Sequence, residues 1–171
     1  MTTLRSPFIL LLSCMAIAFA GCDTAQTDVS ATFDANVATA AHVFADFQAE
    51  DDHFFTHFAE DAYWAGTSLN APDSIALADV APKYRELWGK YDYTLTEEAN
   101  FLPGVNPVSK ETDGSVRGYF KWNITKTVTD STEQKSVDVK VYESFDFNAE
   151  GKIVWTQVYA NMQAAYAALE D

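Results

Sequence analysis

The clearest pattern in the chain is an alternation near its C-terminal end. Val137, Val139, Val141, Phe145 and Phe147 alternate with Asp138, Lys140, Tyr142, Ser144 and Asp146. This is the period of two expected of a strand with one face in a core and the other in solvent. Glu143 interrupts it: the apolar phase asks for an aliphatic side chain between Val141 and Phe145, and a carboxylate stands there. Asn148-Ala149-Glu150-Gly151 then reads as a turn in which Gly151 is free to take a positive φ. A return strand from Lys152 to Tyr159 completes a hairpin.

Upstream the spacing is helical. Val37, Ala40, Ala41, Phe44 and Phe47 predict an amphipathic helix from Asp34 to about Glu50, with Asp34 in its first turn. A shorter helix, capped by Asp51 or Asp52, carries Phe54, Phe55 and Phe58. Ala62-Tyr63-Trp64 reads as a short strand and 66–72 as a loop. Residues 79–90 read as a helix with Pro82 in its first turn and Tyr84, Leu87, Trp88 and Tyr91 as an aromatic stripe. Tyr91 to Thr96 alternates as a strand, and Pro103-Gly104 and Asn106-Pro107 signal turns across 100–107. Asp113-Gly114 reads as a turn into a long strand, Val116 to Val128, whose apolar face is Phe120, Trp122 and Ile124. Thr129 to Gln134 is a polar connection, and Met162 to Leu169 is Ala-rich and helical. Helices followed by antiparallel strands predict an α+β fold, with a strongly curved sheet wrapping its helices and leaving a pocket at the open end.

The N-terminus reads as an address. After Arg5, the run Phe8 to Phe19 is apolar but too short to span a bilayer, as a signal-peptide core is. Phe19-Ala20-Gly21-Cys22 resembles a bacterial lipobox, with Phe19 where an aliphatic residue is usual. The expected organisation is a signal peptide over 1–21, lipidated Cys22 with a flexible tether over 22–33, and one domain over 34–171. Acyl chains on Cys22 would hold that domain to a membrane in the bacterial cell envelope, facing the periplasm or the exterior. Asp23 resembles a signal for inner-membrane retention. The alternative is an ordinary secretory signal, with Cys22 left as a thiol.

Composition narrows the function. A chain of 171 residues, 48% hydrophobic, has enough apolar surface for one domain's core. Its net charge of −14 and its scattered basic residues exclude nucleic acid as a natural partner, because phosphate binding needs clustered Lys and Arg. Cys14 and Cys22 both precede the expected domain, which leaves it no internal disulfide and no cysteine metal site. Neither a Gly-rich phosphate loop nor a nucleophile elbow is present, and no cofactor is implied.

Two segments carry a resemblance: Phe58-Ala59-Glu60-Asp61-Ala62-Tyr63-Trp64 after a short helix, and the closing stretch from Val141 to Val154 around Phe145-Asp146-Phe147-Asn148-Ala149-Glu150-Gly151-Lys152. In this order they resemble the nuclear transport factor 2-like superfamily, in particular its polyketide-cyclase (SnoaL-like) and ketosteroid isomerase branches. The resemblance implies a cystatin-like cone, a strongly curved antiparallel sheet wrapped around about three N-terminal helices. Such cones are often homodimeric and use the pocket for isomerisation, cyclisation, dehydration or binding. Glu143 falls where ketosteroid isomerases resemble one another in placing a protonated acid. The position of their general-base aspartate is here Ala65 or Gly66, so the resemblance does not extend to that activity.

The residues themselves offer candidates. Glu143 on an apolar face would have a raised pKa, unless a bulge turns it outward or Lys140, Lys152 or Arg117 pairs with it. Trp64, Tyr84, Trp88, Trp122, Trp155, Gln157 and Tyr159 are expected to line a pocket for a small apolar or aromatic ligand, with core packing as the alternative for each aromatic. Tyr84, Tyr159 and Gln157 are the candidates for a second polar group beside Glu143. His53 and His57, four apart, share a face as a two-histidine metal site requires, but the spacing implies no third ligand. A solvated polar face is the reading, no metal is expected, and His42 is structural or exposed. Three functions follow: a lipid-anchored cone that binds a small molecule, a cofactor-independent isomerase, cyclase or dehydratase using Glu143 as acid or base, and a homodimeric interaction module without a pocket.

Overall fold

A computed structural model describes residues 24–127 and 134–170, and side chains from Val29 on. The signal peptide, Cys22 and most of the 129–134 connection lie outside the described residues. Helix α1, Thr24–Gln48, starts well before Asp34. Val29 and Phe33 extend the apolar row of Val37, Ala40 and Phe44 backwards at four-residue steps, among the helix formers Ala25, Gln26 and Ala31. From Thr24 onward, therefore, the expected tether is helix.

A 3-10 turn, Asp52–His57, follows, capped by the Asp51 carboxylate on the His53 amide at 2.8 Å. Then come β1 (Phe58–Ala65), the two-residue β2 (Ile75–Ala76), α2 (Leu77–Trp88), β3 (Tyr91–Leu95), β4 (Asn100–Val105), β5 (Thr112–Lys126), β6 (Ser136–Phe147), β7 (Ile153–Tyr159) and α3 (Met162–Glu170). The seven strands form one sheet in the order β2-β1-β7-β6-β5-β3, with β4 also on β5. All pairings are antiparallel except β1 with β7. None of the described helices is long and apolar enough to cross a membrane.

The stretch expected to turn at 100–107 is instead mostly β4. It is an edge strand, where Pro103 gives up no needed ladder bond, and its register breaks between Pro103 and Val105. Gly104 leaves room there for neighbouring side chains: a Cβ would stand 2.0 Å from Ser115 Oγ and displace it. Asp113-Gly114 likewise lies inside β5 and does not precede it. Gly114, at φ +81°, also lets α1 approach closely, since a Cβ there would meet Thr32 at 2.9 Å.

Phe44 on α1 sits at the centre of the inner sheet face, with ring centroids 4.3 Å from Phe120, 5.7 Å from Phe101, 5.9 Å from Phe145 and 6.1 Å from Trp122. Buried Asn36 fastens the same helix to the sheet, its Nδ2 donating to the Gly114 carbonyl at 2.8 Å. Asn36→Ala leaves that buried carbonyl without its donor and is expected to lower stability by about 1–3 kcal/mol. Urea denaturation at constant m would show this as a lower midpoint; an unchanged midpoint would mean that water replaces the bond.

The β6–β7 hairpin contains the detail that positions the site. At the turn Asn148 donates to the Lys152 carbonyl at 2.9 Å, a register that would bring Gln157 opposite Glu143. Instead Phe147 faces Ile153 while Asp146 faces Trp155, so β7 carries Val154 as an extra residue. Beyond this bulge Val158 stands opposite Glu143, and the faces of β7 are exchanged.

Candidate functional site

Glu143 keeps its inward phase because β5 and β6 pair without a register break from Thr125–Ser136 to Val116–Phe145. Its neighbours across the sheet are Gly118 and Val158. It opens onto a cavity of about 650 Å³ walled by Val43, Phe44 and Phe47 of α1, Val80, Tyr84 and Leu87 of α2, and Phe120, Trp122, Val141 and Val158 of the sheet. Met162 and Tyr166 of α3 close one side, and Thr67, Ser68, Lys83, Asn161 and Gln163 add polar atoms to the lining. Among the described lining residues Glu143 is the only carboxylate, and no imidazole joins it.

Lys83 shares the cavity lining but forms no ion pair with Glu143, and the three cations expected as partners are placed elsewhere. Arg117, on the outer face, donates to Asp146 at 3.1 Å and to the Phe145 carbonyl at 3.2 Å. Lys152 donates to the Thr56 carbonyl at 2.6 Å, and Lys140 is exposed opposite Lys121. Burial therefore pushes the Glu143 carboxyl up to about 8, against a smaller lowering from the Thr156 hydroxyl that donates to it at 2.9 Å. Tyr84 is raised as well, by burial first and then by the Glu143 charge. Its oxygen accepts from Trp64 Nε1 at 3.1 Å, and no described residue accepts its proton, which leaves the hydroxyl free to donate into the cavity. Tyr93, also raised chiefly by burial, shares a 3.0 Å hydrogen bond with Tyr166.

Of the residues expected at the pocket, Glu143, Trp64, Tyr84 and Trp122 line it. Trp88 does not: it is buried against Phe47, Phe54 and Phe55, where α2 meets the 3-10 turn, and its indole N–H has no partner among the described residues. Trp155, Gln157 and Tyr159 lie on the outer face, turned there by the Val154 bulge. Tyr159 donates to Gln157 at 3.0 Å and continues an outward row with Tyr142 and Tyr119, at centroid distances of 5.9 and 4.9 Å. Thr156, fully buried and bonded to Glu143, was not among the candidates. Neither was Tyr166, whose place depends on α3 folding back, held by Tyr91–Glu170 at 2.8 Å and Lys126–Glu170 at 2.5 Å. A bulge in β7 would have been the signal for Thr156; nothing local marks Tyr166.

Solved structures share this arrangement of helices and curved sheet. A nuclear transport factor 2-like protein from Burkholderia xenovorans matches over 80% of this chain and 96% of its own, with a TM-score of 0.57 and 15% identity. The chain has the nuclear transport factor 2-like fold. A candidate polyketide cyclase from a Silicibacter species also matches this fold, over 77% of this chain and 93% of its own, with a TM-score of 0.57 and 21% identity. A phenazine biosynthesis-related protein from Pseudomonas aeruginosa matches over 91% and 90%, with a TM-score of 0.58 and 13% identity. At these identities the likeness shows the nuclear transport factor 2-like fold alone. No protein-family model matches the sequence, and neither does any curated protein.

Proposed function

We propose that the cone holds a small, largely apolar molecule bearing a carbonyl group, and that Glu143 moves a proton on it. The observation that carries this reading is a single carboxylate among the described cavity-lining residues, bonded to the Thr156 hydroxyl and in no ion pair; burial pushes it up to about 8, so that both protonated and ionised forms are accessible near neutral pH. Ionised Glu143 would take the proton from the carbon next to the carbonyl, the C–H electrons passing to the oxygen, while the Tyr84 hydroxyl donates to that oxygen. Returning the proton to another carbon gives isomerisation; delivering it to a β-hydroxyl gives dehydration. A one-base scheme fits a cavity with no aspartate near Ala65 and Gly66. The candidate cyclase among the structural neighbours is consistent with chemistry of this kind.

The test needs no knowledge of the product. Small polycyclic ketones would be screened for quenching of Trp64 and Trp122 fluorescence, and those that bind would be incubated with protein in D2O. We expect deuterium to enter the carbon beside the carbonyl at a rate that rises with pH towards 8, and to fall to the solvent background in Glu143→Gln while binding persists. Binding without exchange in the wild-type protein would remove the proton-transfer step and leave a binding cone.

Membrane attachment through lipidated Cys22 is a proposal from the sequence. It predicts a mature chain that begins at Cys22 and carries the mass of its acyl groups, and a start elsewhere would replace it with the secretory reading. Homodimerisation is likewise proposed, with the outer face of Tyr119, Tyr142 and Tyr159 as the surface to mutate; a monomeric mass in light scattering would reject it.

A further inference from the structure

All three histidines of the chain gather where the end of α1 meets the 3-10 turn, away from the cavity lining. His53 Nδ1 and His57 Nε2 lie 2.8 and 2.7 Å from the same oxygen, Oδ2 of Asp46. One donor atom from each of these side chains lies within 4.8 Å of the other two. His42, one turn before Asp46 on α1, stands with its ring 6.2 Å from that of His57. The frame beneath them is fixed by bonds that do not involve the imidazoles. Asp51 donates its amide to the Asp46 carbonyl at 3.0 Å, and Thr56 donates its hydroxyl to the His53 carbonyl at 2.7 Å. Between the two histidines, buried Phe54 packs on Phe47 at 5.5 Å. Burial raises the Asp46 carboxyl, but the two imidazole contacts outweigh it and hold the group below its ordinary value.

We propose that Asp46, His53 and His57 form a binding site for a divalent transition-metal ion of the zinc class, which clamps α1 to the 3-10 turn. Two imidazole nitrogens and one carboxylate oxygen suit zinc, cobalt or nickel, whereas magnesium and calcium take oxygen ligands. Both imidazole nitrogens already converge on Asp46 Oδ2, so widening these contacts would set the three donors around one ion. Each imidazole would present a lone pair where it now offers a proton, the proton moving to its other ring nitrogen. The His53 side chain, 62% exposed, is free to rotate the small distance required, while His57 and Asp46, at 12% and 24%, form the fixed half. Solvent would fill the remaining positions, since His42 stands outside the group of donor atoms that lie within 4.8 Å of one another. The sequence spacing alone offered only two ligands because Asp46 lies on a different element.

The competing account is a metal-free staple in which both imidazoles donate to Asp46. To separate the two, the full chain would be stripped with a chelator and titrated with Zn2+ by calorimetry and with Co2+ by visible absorption. We expect one equivalent of Zn2+, d–d bands from Co2+ and a Tm increase of roughly 5–10 °C at about a hundredfold excess over Kd. Affinity should fall at least about tenfold in Asp46→Asn and in His57→Ala. No saturable binding up to millimolar Zn2+ would leave the staple. Undiminished binding in both variants, or thiolate charge-transfer absorption from Co2+, would place the ion elsewhere, Cys14 and Cys22 included; either result overturns the proposal. Should a variant fail to fold, the wild-type stoichiometry and Co2+ spectrum decide alone.

Discussion

At pH 9, Glu143→Gln is expected to be more stable than the wild-type protein by roughly 3–5 kcal/mol, and at pH 4 the two should be nearly equal. The carboxyl titrates near 4.5 in an unfolded chain and at about 8 in the fold. Between those values the folded protein holds a proton that the unfolded chain has released, so unfolding releases it and stability falls as pH rises. The loss begins near pH 4.5, proceeds at about 1.4 kcal/mol per pH unit and levels off above pH 8. Glutamine is close in shape, can still accept from the Thr156 hydroxyl and has nothing to titrate, so its curve lacks this slope. Urea midpoints from pH 4 to 9 measure both curves. A wild-type curve that stays flat between pH 5 and 8 would mean that the carboxylate is solvated and that the proton-transfer reading has lost its basis. Under the proposed function, the same desolvation that weakens the fold at alkaline pH would make Glu143 a competent base, a trade between stability and activity.

How much of this was readable beforehand depended on whether a residue's place is fixed by one strand or by two. The alternation of β6 set the face of Glu143 by itself, and β5 pairs with it in register, so the carboxylate lies where the pattern put it. β7 has apolar residues on both phases, Ile153-Val154-Trp155 and Val158-Tyr159, so its faces depend on register, and one inserted residue exchanged them. That single bulge moved Trp155, Gln157 and Tyr159 out of the expected pocket and brought Thr156 in. The helix start at Thr24 was readable in the spacing of Val29 and Phe33 but was outweighed by the polar composition around them. β4 was hidden because Pro and Gly, ordinarily turn residues, are tolerated on an edge strand that contains a bulge. The convergence of Asp46 on His53 and His57 arises from the chain reversing after α1, which no periodicity records.

Phe44→Ala is expected to cost about 3–5 kcal/mol, among the largest effects available to a single side chain here. Phe44 is 3% exposed and touches four aromatic rings on two other strands and β4, all of which would lose their partner at once. Collapse cannot recover the space, because the removed ring already borders the cavity and the void joins it. Phe44→Leu keeps much of the volume and is expected to cost only about 1–2 kcal/mol. The second consequence concerns Glu143. Gly118 lies opposite Glu143 in the sheet, and its absent Cβ would stand 3.6 Å from Phe44 Cζ, so the ring closes the space directly beside the carboxylate. With that ring gone, the cavity widens beside Glu143, its desolvation lessens, its pKa moves back towards 4.5, and the loss of stability between pH 5 and 8 shrinks. Urea denaturation of Phe44→Ala across that range measures both effects. A large destabilisation with the wild-type pH slope intact would show that Phe44 supports the fold without desolvating Glu143, and would assign that role to Val141, Val158 and the α2 wall.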